Sequence, residues 1–244
     1  MNFFGILARP LGLIMTSLYS LVGSYGITLV ILTVVIKLLL YPLYKKQIMS
    51  TAGMSDLQPK MQHIQNQYAG NTEVMNQKIQ ELYKEEGVSP AAGCLPMVIQ
   101  MFVIMGLFEL LRYPLKYVSS QAMVFAVHES FLWIKDLSQP DPWILPVLSG
   151  VATFISFYMS QQNGAMGAQQ GGAMMTVMKY GFPIMIIWLA KSYAAGLAMY
   201  WFVSQFIQIF YNIRFNTLRK RMAEEKKNKK KTKRKPVRAG QGVR

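Results

Sequence analysis

The sequence predicts an all-α polytopic membrane protein, with five transmembrane helices enclosing a hydrophilic groove and a cytoplasmic helical hairpin. Three observations predict it. Of 244 residues, 52% are hydrophobic and only 15% charged, against about 25% charged in soluble domains. The basic residues, 26 against 11 acidic for a net charge of +15, crowd into one tail, with 14 of them from Arg214 onward. Several apolar runs approach the roughly 20 residues that a helix needs to cross a bilayer core. They lack the period-2 alternation of a membrane barrel. An ordinary soluble enzyme and a disordered chain are both excluded by this distribution.

Residues 1–24 come first. The apolar run 3–22 is interrupted by Arg9, Pro10 and Gly12, and Thr16, Ser17 and Ser20 cluster at its far end. It is expected as an external, interfacial helix, not a sixth span. Met1 to Phe4 carry no basic residue, and no cysteine lies near the start, so neither a cleaved signal nor a lipid acceptor is expected. Span one is 25–44, with Tyr25, Tyr41 and Tyr44 near its ends, where interfacial aromatics belong.

Residues 45–90 read as a cytoplasmic hairpin. Met54, Leu57, Met61, Ile64 and Tyr68 recur at 3 and 4, a single apolar stripe on a helix. Ala69-Gly70-Asn71-Thr72 supplies the turn. Met75, Ile79 and Leu82 resume the spacing up to Gly87. Span two is 91–112, followed by an external segment 113–142 and span three at 143–160. A cytoplasmic linker, 161–173, leads to span four at 174–190, which Pro183 interrupts. Span five is 193–212. Residues 213–244 form a basic tail, expected as disordered and cytoplasmic from composition. Lysines in 45–90 and in the tail set orientation, with the N-terminus outside and the C-terminus in the cytoplasm.

Lys37 is the most informative residue. It lies 12 residues after Tyr25, about 18 Å along the helix. An ammonium at that depth costs at least about 2.5–3.5 kcal/mol on insertion scales. Two readings stand on physics alone: snorkelling toward the Lys45 end, or a wet cavity inside the bundle. Thr33 shares the face of Lys37. Gln100 lies mid-way through span two, and Ser149, Thr153 and Ser156 line one face of span three. Ser204, Gln205 and Gln208 lie in span five. Singly, a buried Ser or Thr is a packing residue; around one cation, such faces point to a hydrated groove.

Met97, Met101 and Met105 recur in span two, and Met178 and Met185 gather near span four. Such a surface suits varied apolar partners, or plain lipid. In the tail, Arg219, Lys220, Arg221, Lys229, Lys230 and Lys231 fit anionic lipid or a phosphate backbone. Cys94 is the sole cysteine, His63 and His128 the only histidines, and no phosphate-binding GxxxxGK[ST] loop occurs. No cofactor, metal or covalent catalysis is expected.

Four stretches carry a resemblance. They are YGITLVILTVVIKLLLYPLYKKQ with the following LQPKMQ, VSPAAGCLPMVIQM, FLWIKDLSQPDPWILP, and AAGLAMYWFVSQ. Over about residues 20–213 the chain resembles the YidC family of membrane-protein insertases, in the short form of Gram-positive bacteria that lacks a large external domain. The resemblance implies a bacterial plasma-membrane protein with a five-helix bundle and a groove closed outside. Its cation is usually arginine, and Lys37 occupies that position. Trp201 matches a groove aromatic and Thr33 a groove residue; Ser156 stands where some relatives carry glutamine. Implied partners are nascent membrane-protein substrates, the ribosome or anionic lipid at the tail, and the secretion channel as a further candidate, with a monomer as the working unit. The competing class is a small anion transporter or channel using Lys37; paired broken helices would mark it, and only span four is broken. A scaffold organised by the tail is the third reading.

Overall fold

The computed structural model describes residues 3–87, 95–118, 121–162 and 177–233. Among them no β-strand occurs beyond one isolated bridge, Phe131 with Ile134. The helices are α1 (Phe3–Val22), α2 (Tyr25–Gln67), α3 (Thr72–Glu85), α4 (Leu95–Arg112), α5 (Pro114–Tyr117), α6 (Gln121–Ala126), α7 (Ile144–Gln162), α8 (Phe182–Ser192) and α9 (Ala195–Lys233). A π-helical turn, Val177–Gly181, leads into α8.

Two segments are long and apolar enough to cross a membrane, Gly5–Val22 and Tyr25–Lys45, and Ile144–Ser160 is a shorter apolar helix. The N-terminal segment expected at the interface is thus a 20-residue helix of spanning length. It packs along α4, where Gly106 lets Leu7 and Leu11 approach closely. α9 runs against both α7 and α2, and α7 also carries α8. Gly150 makes that last contact possible: a Cβ there would meet Ile187 at 2.3 Å.

Two boundaries differ from expectation. Span one and the first hairpin helix are one continuous 43-residue helix, α2, passing through Pro42 and Pro59. Each proline removes one backbone bond, yet the apolar stripe resumes on the far side and the helix continues. The segment 213–233, expected as disordered from its charge, is helical as the continuation of α9. No Gly or Pro occurs between Gly196 and Pro236, and Lys, Arg, Met, Ala and Glu are good helix formers. Glu224 and Glu225 also fall three or four residues from several of the cations. The first residues of span two, 91–94, most of the linker 161–173 and the tail 234–244 lie outside the described residues.

The hairpin closes over its own small core. Leu57, Met61, Ile79, Leu82 and Tyr83 are buried, with Ile64 and Met75 packed against them. The Tyr83 hydroxyl donates to Met61 Sδ at 3.4 Å, and Asn71 caps α3 by accepting from the Val74 N–H at 3.1 Å. Lys60 pairs with Glu86 across the hairpin.

At the opposite end, residues 113–118 and 121–143 form a cap that satisfies three helix N-termini, whose first amides lack partners within the helix. Glu129 accepts from the Tyr25 N–H at 2.7 Å, at the start of α2. Its other oxygen accepts from the Tyr19 hydroxyl at 2.7 Å. Asp141 accepts from the Leu145 N–H in the first turn of α7 at 2.6 Å. The carbonyls of Gln139 and Leu137 accept from Ala195 and Gly196, both at 2.9 Å, at the start of α9. α2, α7 and α9 therefore start at one end of the bundle and run in the same direction. Glu109, the one acid inside an expected span, is held at this end by the Tyr117 hydroxyl at 2.9 Å.

Candidate functional site

Lys37 is buried, 4% exposed. Its Nζ donates to Gln100 Oε1 and to Gln208 Oε1, each at 3.4 Å. It also lies 4.9 Å from the centroid of the Tyr44 ring. Three helices meet here. α2 presents Lys37 and Tyr44 seven residues apart on one face, α4 brings Gln100, and α9 brings Gln208. The cation is surrounded by carbonyl oxygens and a π-face, with no carboxylate partner among the described residues. The snorkelling reading does not describe this geometry, because the ammonium is turned into the bundle.

A second tier of bonds fixes the first. Gln100 Nε2 donates to the Tyr200 hydroxyl at 3.1 Å, which turns the amide so that its oxygen faces Lys37. Ser204 Oγ donates to the same oxygen at 3.4 Å. The Tyr211 hydroxyl donates to the Lys37 backbone carbonyl at 3.1 Å. Tyr41 packs edge-on to Tyr211 and stacks on Phe215. The α9 residues involved, Tyr200, Ser204, Gln208 and Tyr211, recur at 4, 4 and 3 and share a helix face.

The polar face continues along α7. The Trp201 indole N–H donates to Thr153 Oγ1 at 2.9 Å, and Thr153 Oγ1 donates to the Ser149 carbonyl at 2.6 Å. Ser149 Oγ donates to the Ala198 carbonyl at 3.3 Å. Asn212 Nδ2 donates to the Ser156 carbonyl at 3.1 Å. Ser149, Thr153, Ser156, Ser204 and Gln205 are all buried. Thr33, also buried, turns its hydroxyl onto its own helix, donating to the Leu29 carbonyl at 2.7 Å.

Of the groove residues expected from sequence, Lys37 and Gln100 are in direct contact. Thr153 and Trp201 are hydrogen-bonded to each other. Ser149 and Ser156 are drawn in through backbone carbonyls, and Thr33 and Gln205 lie on the same helix faces. Tyr44, Tyr200, Tyr211 and Asn212 were not expected there. The signal for Tyr44 was its i+7 spacing from Lys37, which its reading as an interfacial aromatic concealed.

The methionines divide. Met101 and Met185 are exposed and Met105 is half-buried. The side chains of Met97 and Met178 lie outside the described residues. Leu57, Met61 and Leu82 form the hairpin core with Ile64 against it. In the extended α9, Lys220 and Arg221 are exposed. Arg219, Lys229, Lys230 and Lys231 fall on its helical backbone, with side chains outside the described residues. No group of three or more potential metal ligands occurs among the described residues.

Known proteins share this architecture. The family model of the 60Kd inner membrane protein matches residues 17–225. A protein of Fusobacterium nucleatum named membrane protein insertase YidC is 34% identical over 207 residues, covering 84% of this chain and 93% of its own. A protein of Listeria monocytogenes named membrane protein insertase YidC 1 is 33% identical, covering 83% of this chain and 68% of its own. A crystal structure described as active YidC insertase with the first transmembrane domain resolved superposes with a TM-score of 0.63 at 26% identity. That match covers 86% of this chain and 46% of the crystallised one.

Proposed function

Because the chain belongs to the YidC family of 60Kd inner membrane proteins, we propose that it inserts nascent membrane proteins into the bilayer. The hydrophilic flank of a substrate enters the polar face between α2, α4, α7 and α9. Lys37 attracts its acidic groups. The apolar segment slides along α4 and α8 into lipid, and transfer out of water drives it. No nucleotide is consumed.

One observation carries this reading: a buried cation whose partners are neutral. Two amide oxygens and a ring hold the ammonium in place without cancelling its charge. A carboxylate arriving from a substrate gains a charge-assisted bond and, among the described residues, finds no resident acid to displace. Gln208, Ser204 and Trp201 can take over polar backbone groups as the flank advances, so that none is stranded in a low dielectric. Exposed Met101 on α4 and Met185 on α8 offer adaptable surface to substrate side chains of many shapes.

The cap supports closure at one end. Its ties to α2, α7 and α9 leave the hairpin end as the entrance. By the distribution of Lys and Arg the hairpin and the basic end of α9 face the cytoplasm and the cap faces outward. The helical extension of α9 carries the basic residues of 214–233, and their partner is the ribosome or the anionic lipid surface.

Photocrosslinking during synthesis tests the path. A photoreactive residue at Gln100 or Met101 is expected to form adducts with a nascent single-span substrate, and one at Phe125 in the cap is not. Absence of adducts at both α4 positions contradicts the path.

A further inference from the structure

The cap is apolar on two sides. Its inward side chains, Tyr117, Met123, Ala126, Ile134 and Leu137, belong to the main core of the bundle. Turned away from that core are Leu115, Phe125, Leu132 and Trp133, exposed by 80, 74, 76 and 43%. Isolated exposed apolar residues are ordinary, but several large ones in one short segment mark a surface with a partner.

Phe131 and Ile134 exchange two backbone bonds of 2.8 and 2.9 Å, leaving Leu132 and Trp133 as a two-residue tip. Such turns need a positive φ and normally recruit Gly or Asn. Here Leu132 takes it, with φ 54°. A leucine held in this region is strained, and the strain places a large apolar side chain at the tip where glycine would place none.

The height of the tip is fixed. The Phe131 ring lies so close over Gly26 that a Cβ there would sit 2.3 Å from it. Gly26 is in the first turn of α2, so the tip is level with the start of Tyr25–Lys45, a segment long and apolar enough to cross a membrane. Exposed Trp143 and Tyr193, at the starts of α7 and α9, lie at the same end. Lys191 sits 3.5 Å over the Trp143 ring. Aromatic rings flanked by cations at this level are characteristic of the membrane–water interface. The acids of the cap are turned elsewhere, Glu129 onto α2, Asp136 onto Ser138 and His128, and Asp141 onto α7; Lys116 and Lys135 stay exposed as cations beside the apolar residues, as suits an anionic headgroup layer.

We propose that the cap is itself a membrane-binding element, seated in the interfacial layer of the leaflet at that end. Leu115, Phe125 and the Leu132–Trp133 tip enter the lipid, while Phe131 and Ile134 on the inner side of the same turn close the bundle. The partner is a phospholipid surface. Lipid then presses the cap onto the three helix starts it satisfies.

Site-directed spin labelling tests this on the full chain in phosphatidylcholine–phosphatidylglycerol liposomes. Single cysteines at 115, 125, 132 and 133, in a Cys94→Ala background, carry a nitroxide, and exposed Gln139 on the same segment serves as the aqueous control. The four labels are expected to collide several-fold more with oxygen than with a water-soluble nickel chelate, and the label at 139 is expected to show the reverse. Nickel access at all four overturns the proposal, because the cap then stands in water. Shielding from both reagents also overturns it, because a protein surface then covers the patch. Should the cysteine variants misfold, a chain with Trp133 as its only tryptophan gives a second reading. Brominated acyl chains are expected to quench it; quenching by aqueous iodide instead overturns the proposal.

Discussion

Gln100→Leu is the sharpest perturbation of the buried site. The substitution keeps the approximate volume of the side chain and deletes three bonds: those from Lys37 and Ser204, each 3.4 Å, and that to Tyr200, 3.1 Å. A hydrogen bond to a charged group contributes about 1.5–3 kcal/mol and a neutral one about 0.5–1.5 kcal/mol. Separations of 3.4 Å are long and place the Lys37 and Ser204 bonds near their lower bounds. The expected loss is about 2.5–3.5 kcal/mol. Gln208→Leu removes the single bond to Lys37 and is expected to cost about 1.5 kcal/mol. In thermal unfolding followed by circular dichroism in detergent, about 2–4 °C accompanies each kcal/mol at this chain length. Gln100→Leu should therefore lower the midpoint by about 5–14 °C and Gln208→Leu by about 3–6 °C. The double variant leaves the ammonium without a carbonyl and should cost more than the two single changes together. In a Lys37→Met background both penalties should shrink. Equal costs for the two single variants, or strict additivity, would refute the cage.

Three further expectations concern the frame. Glu129→Ala strands the Tyr25 N–H and the Tyr19 hydroxyl and should cost about 2–4 kcal/mol, with Glu129→Gln intermediate in the same melt. If alanine and glutamine are equally harmful, charge at the α2 start is not what matters. Asp136 is held below the usual carboxylate range, chiefly by the Ser138 hydroxyl. Its contribution is therefore present above the unfolded carboxyl value of about 3.9 and lost as pH falls through the folded value. Wild type should be the more stable at pH 7 and should converge with Asp136→Asn below about pH 4; parallel curves contradict this. Gly150→Val drives a side chain into Ile187 and should cost about 1–3 kcal/mol by overpacking, separating α7 from α8. An unchanged distance between spin labels on α7 and α8 would show that the contact is not tight.

The elements were legible where periodicity and charge agree. The run from Tyr25, the hairpin stripe and the polar face of α7 all follow from spacing that a helix imposes. The boundary at Tyr44 was not legible: the apolar run ends before Lys45 and Lys46, but the helix itself runs on into the hairpin. The basic segment after 212 was misread for a related reason: charge density argues for disorder, but the absence of Gly and Pro lets a helix already nucleated by α9 propagate through it. At the site, a lone lysine in an apolar run identified itself by its cost. Of its surroundings, the polar positions Gln100, Ser204 and Gln208 were legible but not their pairing: Gln208 reaches Lys37, and Tyr200 reaches Gln100, only through the packing of α9 on α2 and α4, contacts between distant segments that no local pattern encodes. The helix-capping roles of Glu129 and Asp141 were hidden likewise, since each carboxylate lies in a loop whose register only the fold sets.

In this mechanism a cation at position 37 draws acidic substrate flanks across the membrane. The direct measurement is insertion of a single-span substrate with an acidic external flank, in cells depleted of their own insertase. They would express the wild-type chain, Lys37→Arg, Lys37→Ala or Lys37→Glu at matched levels. Lys37→Arg is expected to sustain insertion while Lys37→Ala and Lys37→Glu fail, with the glutamate variant the more severe. Equal insertion by all four would contradict it, and would leave the amides and the tryptophan of the groove to carry translocation without a central charge.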